Sequence, residues 1–229
     1  MNEARGLDGH TPPSDLPPTP RGKTERLRAA VAASVSRLQD AYLGRGTQQD
    51  QATARRRLAT LRRRAGMSPE RDPLAWQAAL DELLPGLDED LRGGDAASPY
   101  ERAAFASLCL FALHIQSQTA PMHVPGVSLA RAVGQLDARR ASESSKPRFD
   151  AALLSKAAGT RLHHLRGLVS LLRTEHIGLD YGRLAADLRR LELPDRNRVL
   201  LRWGRDFATG HYTSSSTEPS APDSPSSEN

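Results

Sequence analysis

The sequence predicts an all-α protein, a two-lobed helical bundle set between disordered N- and C-terminal tails. Three observations predict it. Leu and Ala contribute 32 residues each, whereas Val and Ile together contribute nine and only ten residues are aromatic, a balance that favours helices over sheets. Apolar residues recur at three- and four-residue spacing, with no alternating run that reads as a strand. Stretches rich in Pro, Gly and Ser bracket this pattern and interrupt it between residues 139 and 147.

Residues 1–23 mix Pro, Gly and both signs of charge; they bury too little apolar surface to offset the entropy of ordering and are predicted disordered. Thr24 stands where a helix cap belongs, ahead of Leu27, Val31, Val35, Leu38 and Tyr42, and Gly44 follows as the stop. GRGTQQDQ reads as a polar link to ARRRLATLRRRAG, residues 54–66. There Ala54, Leu58, Leu61 and Ala65 share one helical face, and six arginines occupy most of the remainder. Asp72 and Pro73 form a cap and first-turn pair for a helix carrying Trp76, Leu80, Leu83 and Leu87. DEDLRGGDAASP reads as a loop.

The chain is organised around Glu101 to Leu136. ERAAFASLCLFALHIQSQ has more apolar positions than one amphipathic stripe holds, so it reads as a helix buried nearly all round, starting after Pro99 and ending before Pro121. PMHVPG reads as a turn, and Ser128 caps a helix with Leu129, Ala132, Val133 and Leu136 inward. RRASESSKP, residues 139–147, is the expected joint between an N-terminal lobe (24–138) and a C-terminal lobe (148–209). The second lobe reads as a helix from Phe149 to Ala158, then one with Leu162, Leu165, Val169 and Leu172 that Gly178 stops. Asp180 caps a third helix, with Leu184, Leu188 and Leu191, and Pro194 opens a last one with Leu200, Trp203 and Phe207 inward. Residues 210–229 are polar and Ser-rich and are predicted disordered.

Of 32 basic residues 29 are Arg. Arg forks onto phosphate oxygens, so the bias suits polyanion contact, and a GC-rich genome produces the same bias with no function attached. The formal net charge of +5 understates the folded part, because residues 25–210 hold 29 basic against 21 acidic side chains. The single cysteine, Cys109, has neither a disulfide partner nor metal-ligand spacing and reads as a small core residue in a reducing cytosol. No 18-residue apolar run and no leader-like segment occur, so the expectation is a cytoplasmic protein without a membrane partner.

Catalytic, metal and cofactor patterns are not found. His163 and His164 are adjacent and point about 100° apart on a helix, and there is no HExxH, CxxC, P-loop, GxGxxG or GxSxG. His114 and Ser117, three residues apart, and His123 suggest a nucleophilic site without a carboxylate; the alternative is a buried polar network in which His114 and Gln116 satisfy the PMHVPG backbone. The arginine helix differs. Arg55, Arg56, Arg57, Arg62, Arg63 and Arg64 have no acidic neighbour within 54–66, so like-charge repulsion is relieved by an outside polyanion or else borne by a solvated face. No aromatics interleave with them, which points to phosphate contact rather than base stacking. Arg161, Arg166, Arg173, Arg183, Arg189, Arg190, Arg196, Arg198, Arg202 and Arg205 suggest a second basic surface, and Trp203 within RWGRDF reads as a core anchor rather than a base platform.

Together, ARRRLATLRRRAG, LAWQAALDELLP, LHIQSQTAPMHVPGVSLARAVGQL, RFDAALL, LHHLRGLVSLLRTEHIGLDYGRLAADL and PDRNRVLLRWGRDF resemble, over residues 52–208, the CasB family, the small subunit of the type I-E CRISPR surveillance complex Cascade. The resemblance implies an all-helical, two-lobed fold without a catalytic centre. It implies assembly with other Cascade subunits and a second copy of the chain, and contacts to guide RNA and to the target and displaced DNA strands that steady the R-loop. It also implies nucleic-acid contact by the six clustered arginines and by Arg131, Arg166, Arg183 and Arg202; for these last four the motif match is the whole argument. The family pattern more often continues LHQQSR, where this chain has Ile115 and Gln118, and SLGRA, where it has SLARA; at position 118 the pattern's arginine is replaced by an uncharged side chain. Two other classes are consistent with the residues: a free-standing helical DNA-binding regulator, and a scaffold whose arginines meet an acidic protein.

Overall fold

In the computed structural model residues 22–65, 72–139 and 145–215 are described, with side chains to residue 212. Within them the chain forms nine α-helices and no strand, in agreement with the predicted fold class. They are α1 (Lys23–Tyr42), α2 (Gln48–Arg62), α3 (Pro73–Leu83), α4 (Pro99–His114), α5 (Leu129–Arg139), α6 (Ser145–Leu154), α7 (Ala158–Thr174), α8 (Tyr181–Arg190) and α9 (Asn197–Ser215).

Local chemistry explains most boundaries. The Asp72 carboxylate accepts the Ala75 N–H at 3.0 Å ahead of Pro73, Ser128 Oγ accepts the Arg131 N–H at 3.1 Å, and Asp180 accepts the Arg183 N–H at 2.9 Å, as the spacing predicted. Gly44 sits at φ +78, the left-handed stop after α1. Other boundaries differ. Gly22, with no side-chain cap, precedes α1, and the expected cap Thr24 lies inside the first turn. The predicted link GRGTQQDQ is partly helix, because Thr47 and Asp50 close a capping box that starts α2 at Gln48. α2 ends at Arg62, which leaves Arg63 and Arg64 in the turn beyond it. A second capping box, Ser98 with Glu101, opens α4.

The central helix is buried as predicted. Only Pro99, Tyr100 and Arg102 of α4 are not buried, and α1, α2, α3, α7 and α8 pack around it. Burying Phe105, Leu108, Leu110, Phe111 and Leu113 contributes on the order of 10 kcal/mol, as much as the net stability of a typical domain. Burial pushes the Cys109 thiol pKa up, consistent with an inert core residue. The helix is shorter than predicted: it stops at His114, and Ser117 turns the chain at φ +60. α7 likewise ends at Thr174 with His176 at φ +54, ahead of the expected stop at Gly178.

Residues 140–144 of the expected joint lie outside the described residues, as do 1–21, 66–71 and 216–229. Across the joint, Ser145 Oγ donates to Asp137 at 2.5 Å. One hydrophobic cluster draws on all nine helices, with α8 against α1 and α4, and α9 along α5. α9 does not end at Gly210 as the tail prediction required but continues to Ser215. Gly210 is a contact point, not a stop. A Cβ there would lie 2.1 Å from the Arg131 carbonyl oxygen of α5, and one on Gly134 would lie 2.1 Å from the Phe207 carbonyl oxygen of α9. Two glycines, one per helix, let the backbones touch.

The irregular PMHVPG turn is held from both ends of the chain. The Gln39 side chain on α1 accepts N–H bonds from Met122 at 2.8 Å and His123 at 2.7 Å, and donates to the His123 carbonyl at 3.3 Å. From the other side, the Leu179 N–H donates to the Met122 carbonyl, and the Val124 N–H to the Leu179 carbonyl, each at 3.0 Å.

Candidate nucleic-acid interface

The buried polar groups around α4 form an architectural network, not a nucleophilic site. His114 is fully buried with Nδ1 2.8 Å from the Tyr181 hydroxyl, and burial pulls its pKa down to about 3. The Tyr181 N–H donates to His123 Nδ1 at 3.2 Å. Ser117 meets neither histidine; its N–H donates to the Tyr42 hydroxyl at 3.1 Å. The expected role of His114 and Gln116 in satisfying the PMHVPG backbone belongs instead to Gln39, while Gln116 accepts from Arg173 at 2.8 Å. Gln118 is also engaged internally, donating to the Arg173 carbonyl at 3.2 Å and accepting from His176 at 2.6 Å. Among the described residues no three His, Cys, Asp or Glu side chains gather as metal ligands, and no helix is long and apolar enough to cross a membrane.

The basic face starts on α2. Ala54, Leu58 and Leu61 are buried against the core, which turns the arginines outward. Arg55 and Arg56 are exposed and Arg62 is half-exposed, with no carboxylate partner among the described residues. The other three do not all stand free, as the lack of local acids suggested. Arg57 pairs with Glu82 and Arg64 with Asp72, both acids supplied by α3 and its cap. Glu82 is itself nearly buried, its backbone carbonyl accepting from Ser34 at 2.7 Å and Arg37 at 2.9 Å. The Ala75 N–H, with Arg64, holds the Asp72 carboxyl below the usual carboxylate range. Arg63 is exposed and its Nε donates to the Ala59 carbonyl at 3.3 Å.

The four motif-derived arginines separate into three places. Arg166, exposed on α7, donates to the Ala65 carbonyl at 3.2 Å and so stands beside the Arg62–Arg64 turn. Arg183 and Arg202 line a small cleft of about 210 Å3 with Arg28 and Arg190. Both are engaged: Arg183 with Asp206 at 2.6 Å, and Arg202 with Asp187. Asp187 is buried and also accepts the Trp203 Nε1–H at 2.7 Å, and burial raises its pKa against the pull of both partners. Trp203, fully buried, is thereby a core anchor as the spacing predicted. Arg131, half-exposed on α5, joins neither group. Arg161, assigned from the sequence to a polar side, is 2 % exposed and donates to the Ser155 carbonyl at 2.5 Å.

The described residues thus present Arg55, Arg56 and Arg62 on α2 without a carboxylate partner, with Arg166 of α7 beside them.

A family model described as CRISPR-associated protein Cse2 matches residues 57–207. Among solved structures, CasB from Thermobifida fusca is 29% identical with a TM-score of 0.63, the match covering 80% of this chain and 97% of that one. A CRISPR-associated protein of the Cse2 family from Thermus thermophilus is 26% identical with a TM-score of 0.58, covering 80% and 97%. A chain of a CRISPR RNA-guided surveillance complex shares the fold at 23% identity and a TM-score of 0.59, covering 82% and 96%. No curated protein sequence matches.

Proposed function

The chain belongs to the Cse2 (CasB) family of CRISPR-associated proteins, and from that premise we propose that it is the non-catalytic small subunit of a type I-E Cascade complex. In that role it holds guide RNA and the target and displaced DNA strands by arginine–phosphate contacts largely independent of sequence. Exchanging a DNA duplex for a guide–target heteroduplex is close to balanced in energy, so contacts to the displaced strand and the heteroduplex backbone tip it toward the open R-loop. Other Cascade subunits and a second copy of the chain complete the assembly, in the cytoplasm.

The observation that carries this reading is the row of Arg55, Arg56 and Arg62. They stand on a helix locked to the core by Ala54, Leu58 and Leu61, with no carboxylate partner among the described residues. The helix needs no rearrangement to meet a phosphate backbone. Replacing all three by Ala should weaken binding to single- and double-stranded nucleic acid alike. It should also flatten the salt dependence on duplex DNA by about 0.9 in log–log slope for each phosphate no longer neutralised. An unchanged slope refutes the assignment of these residues.

A further inference from the structure

Beside the C-terminal end of α2 lies a groove of about 530 Å3, lined by Arg148 of α6 and by His163, His164, Arg166, Gly167 and Ser170 of α7. Positions 163, 166, 167 and 170 follow the i, i+3, i+4, i+7 spacing of one helical stripe, opposite the buried Leu165, Leu168, Val169 and Leu172. The clefts beside Glu82, Asp72 and Asp187 each have carboxylates in their walls. Among the described residues that line this groove there is none. Asp150, the acid of α6, is already held by Lys146 Nζ at 2.6 Å.

The lining brings two guanidinium groups and two imidazole rings to one groove. Arg148 is exposed and lies over Gly167, where an added Cβ would come within 3.3 Å of its Nη1 and 3.8 Å of its Cδ. Glycine weakens a helix interior, and here it lets the guanidinium rest near the backbone of α7. Arg166, on the same stripe of α7 as Gly167, lines the groove too and is steadied by its 3.2 Å bond to the Ala65 carbonyl. A guanidinium has five N–H donors, so one bond leaves Arg166 donors for phosphate oxygens. His163 is exposed and its ring meets that of His164 edge to face, with 5.6 Å between centroids.

We infer that this groove is a single-strand subsite in which Arg148 and Arg166 hold one phosphodiester and the His163 ring stacks on the adjoining base. A base in a duplex already has its faces covered by its neighbours, so only an unpaired nucleotide offers a face to His163. Stacking of this kind is tolerant of sequence. The inference rests on the reading that α2 carries a phosphate backbone, because Arg166 places the groove where that backbone leaves the Arg62–Arg64 turn.

The test uses the full chain and two fluorescent ligands of equal length, oligo(dT) and an abasic oligomer with the same phosphates. His163→Ala should weaken oligo(dT) about fivefold or more and leave the abasic oligomer unchanged. Arg148→Ala should weaken both ligands and lower the single-strand salt slope by about 0.7. Both side chains are exposed, and thermal melting checks that each variant is folded. If His163→Ala affects both ligands equally or neither, or Arg148→Ala leaves the slope unchanged, the groove is not the subsite. The Arg55, Arg56 and Arg62 variant separates the two claims. Loss of binding there with intact groove variants removes the groove and keeps the α2 reading; the reverse pattern removes the α2 reading, and with it the groove as the continuation of that backbone's path.

Discussion

Changing Gly204 and Gly210 to alanine makes the same chemical change twice in α9, and the structure requires opposite outcomes. Gly204 is exposed, and a Cβ there meets nothing within 4 Å, so Gly204→Ala gains helix propensity of up to about 1 kcal/mol. At Gly210 the new Cβ would sit 2.1 Å from the Arg131 carbonyl oxygen and 2.9 Å from its carbon. Relief requires α5 and α9 to part by about 1 Å, which forfeits dispersion along their shared face. Overpacking in a close-packed interior costs roughly 1–3 kcal/mol, and contact between two main chains belongs at the upper end. After the propensity gain, the net loss is about 2 kcal/mol. For a chain of this size 1 kcal/mol moves Tm by roughly 2–4 °C, so Gly210→Ala should melt about 4–8 °C below the parent and Gly204→Ala about 2–4 °C above it. Calorimetry or circular dichroism at fixed pH and salt measures both. A Gly210→Ala variant melting at or above the parent would refute the close crossing.

Three further variants test the same geometry. His114→Ala, which leaves a cavity and removes a partner of the Tyr181 hydroxyl, should cost about 2–4 kcal/mol in urea titrations yet leave nucleic-acid affinity unchanged; an affinity loss in a folded variant would make the α4 region a binding site after all. Because the folded-state pKa of His114 is lowered to about 3, the unfolded chain binds the extra proton first, and stability falls as pH drops from about 6.5 toward 3, by up to roughly 1.4 kcal/mol per unit. Urea midpoints across that window should show a shallower fall in His114→Ala. Glu82→Gln, by releasing Arg57, should steepen the salt dependence of duplex binding by up to about 0.9 in slope if Arg57 then reaches a phosphate, and a flat response would show that Arg57 faces away from the nucleic acid. Asp187→Ala strands the Trp203 indole N–H and the Arg202 guanidinium, and should cost about 3–5 kcal/mol, read by chemical denaturation together with a shift in tryptophan emission.

Much of the fold is legible in the sequence because its signals are local. Asp72–Pro73, Ser128 and Asp180 each name a helix start through a bond that closes within three residues, and the apolar density of α4 announces burial without reference to any partner. What escapes the sequence depends on distant groups. The six arginines read as unneutralised because the local window holds no acid, while Asp72 and Glu82 approach 8 and 25 residues away along the chain. Gly210 falls in the stretch read as tail because its use, letting α9 touch α5 at Arg131, depends on a residue far back in the chain. The Thr47 box reads as a link because its third residue is Asp50, shorter than the Glu or Gln of the usual pattern. Arg148 and His163 carry no joint signal along the chain, because only the packing of α6 on α7 brings them together.

The double anchorage of the PMHVPG turn bears on the order in which the molecule is completed. Its Gln39 brace lies 83 residues before Met122, and its Leu179 partner lies well after it. A ribosome therefore delivers the brace early and the closing segment late. In the interval Met122 and Val124 lack the bonds that Leu179 supplies, and the C-terminal end of α4 has no finished loop to lead it into α5. Synthesis must pass Leu179 before that loop can set, so the first half of the chain waits on the second to become native. A pause or truncation before α8 would leave the apolar flank of α4, which meets α7 and α8 in the finished protein, open to aggregation.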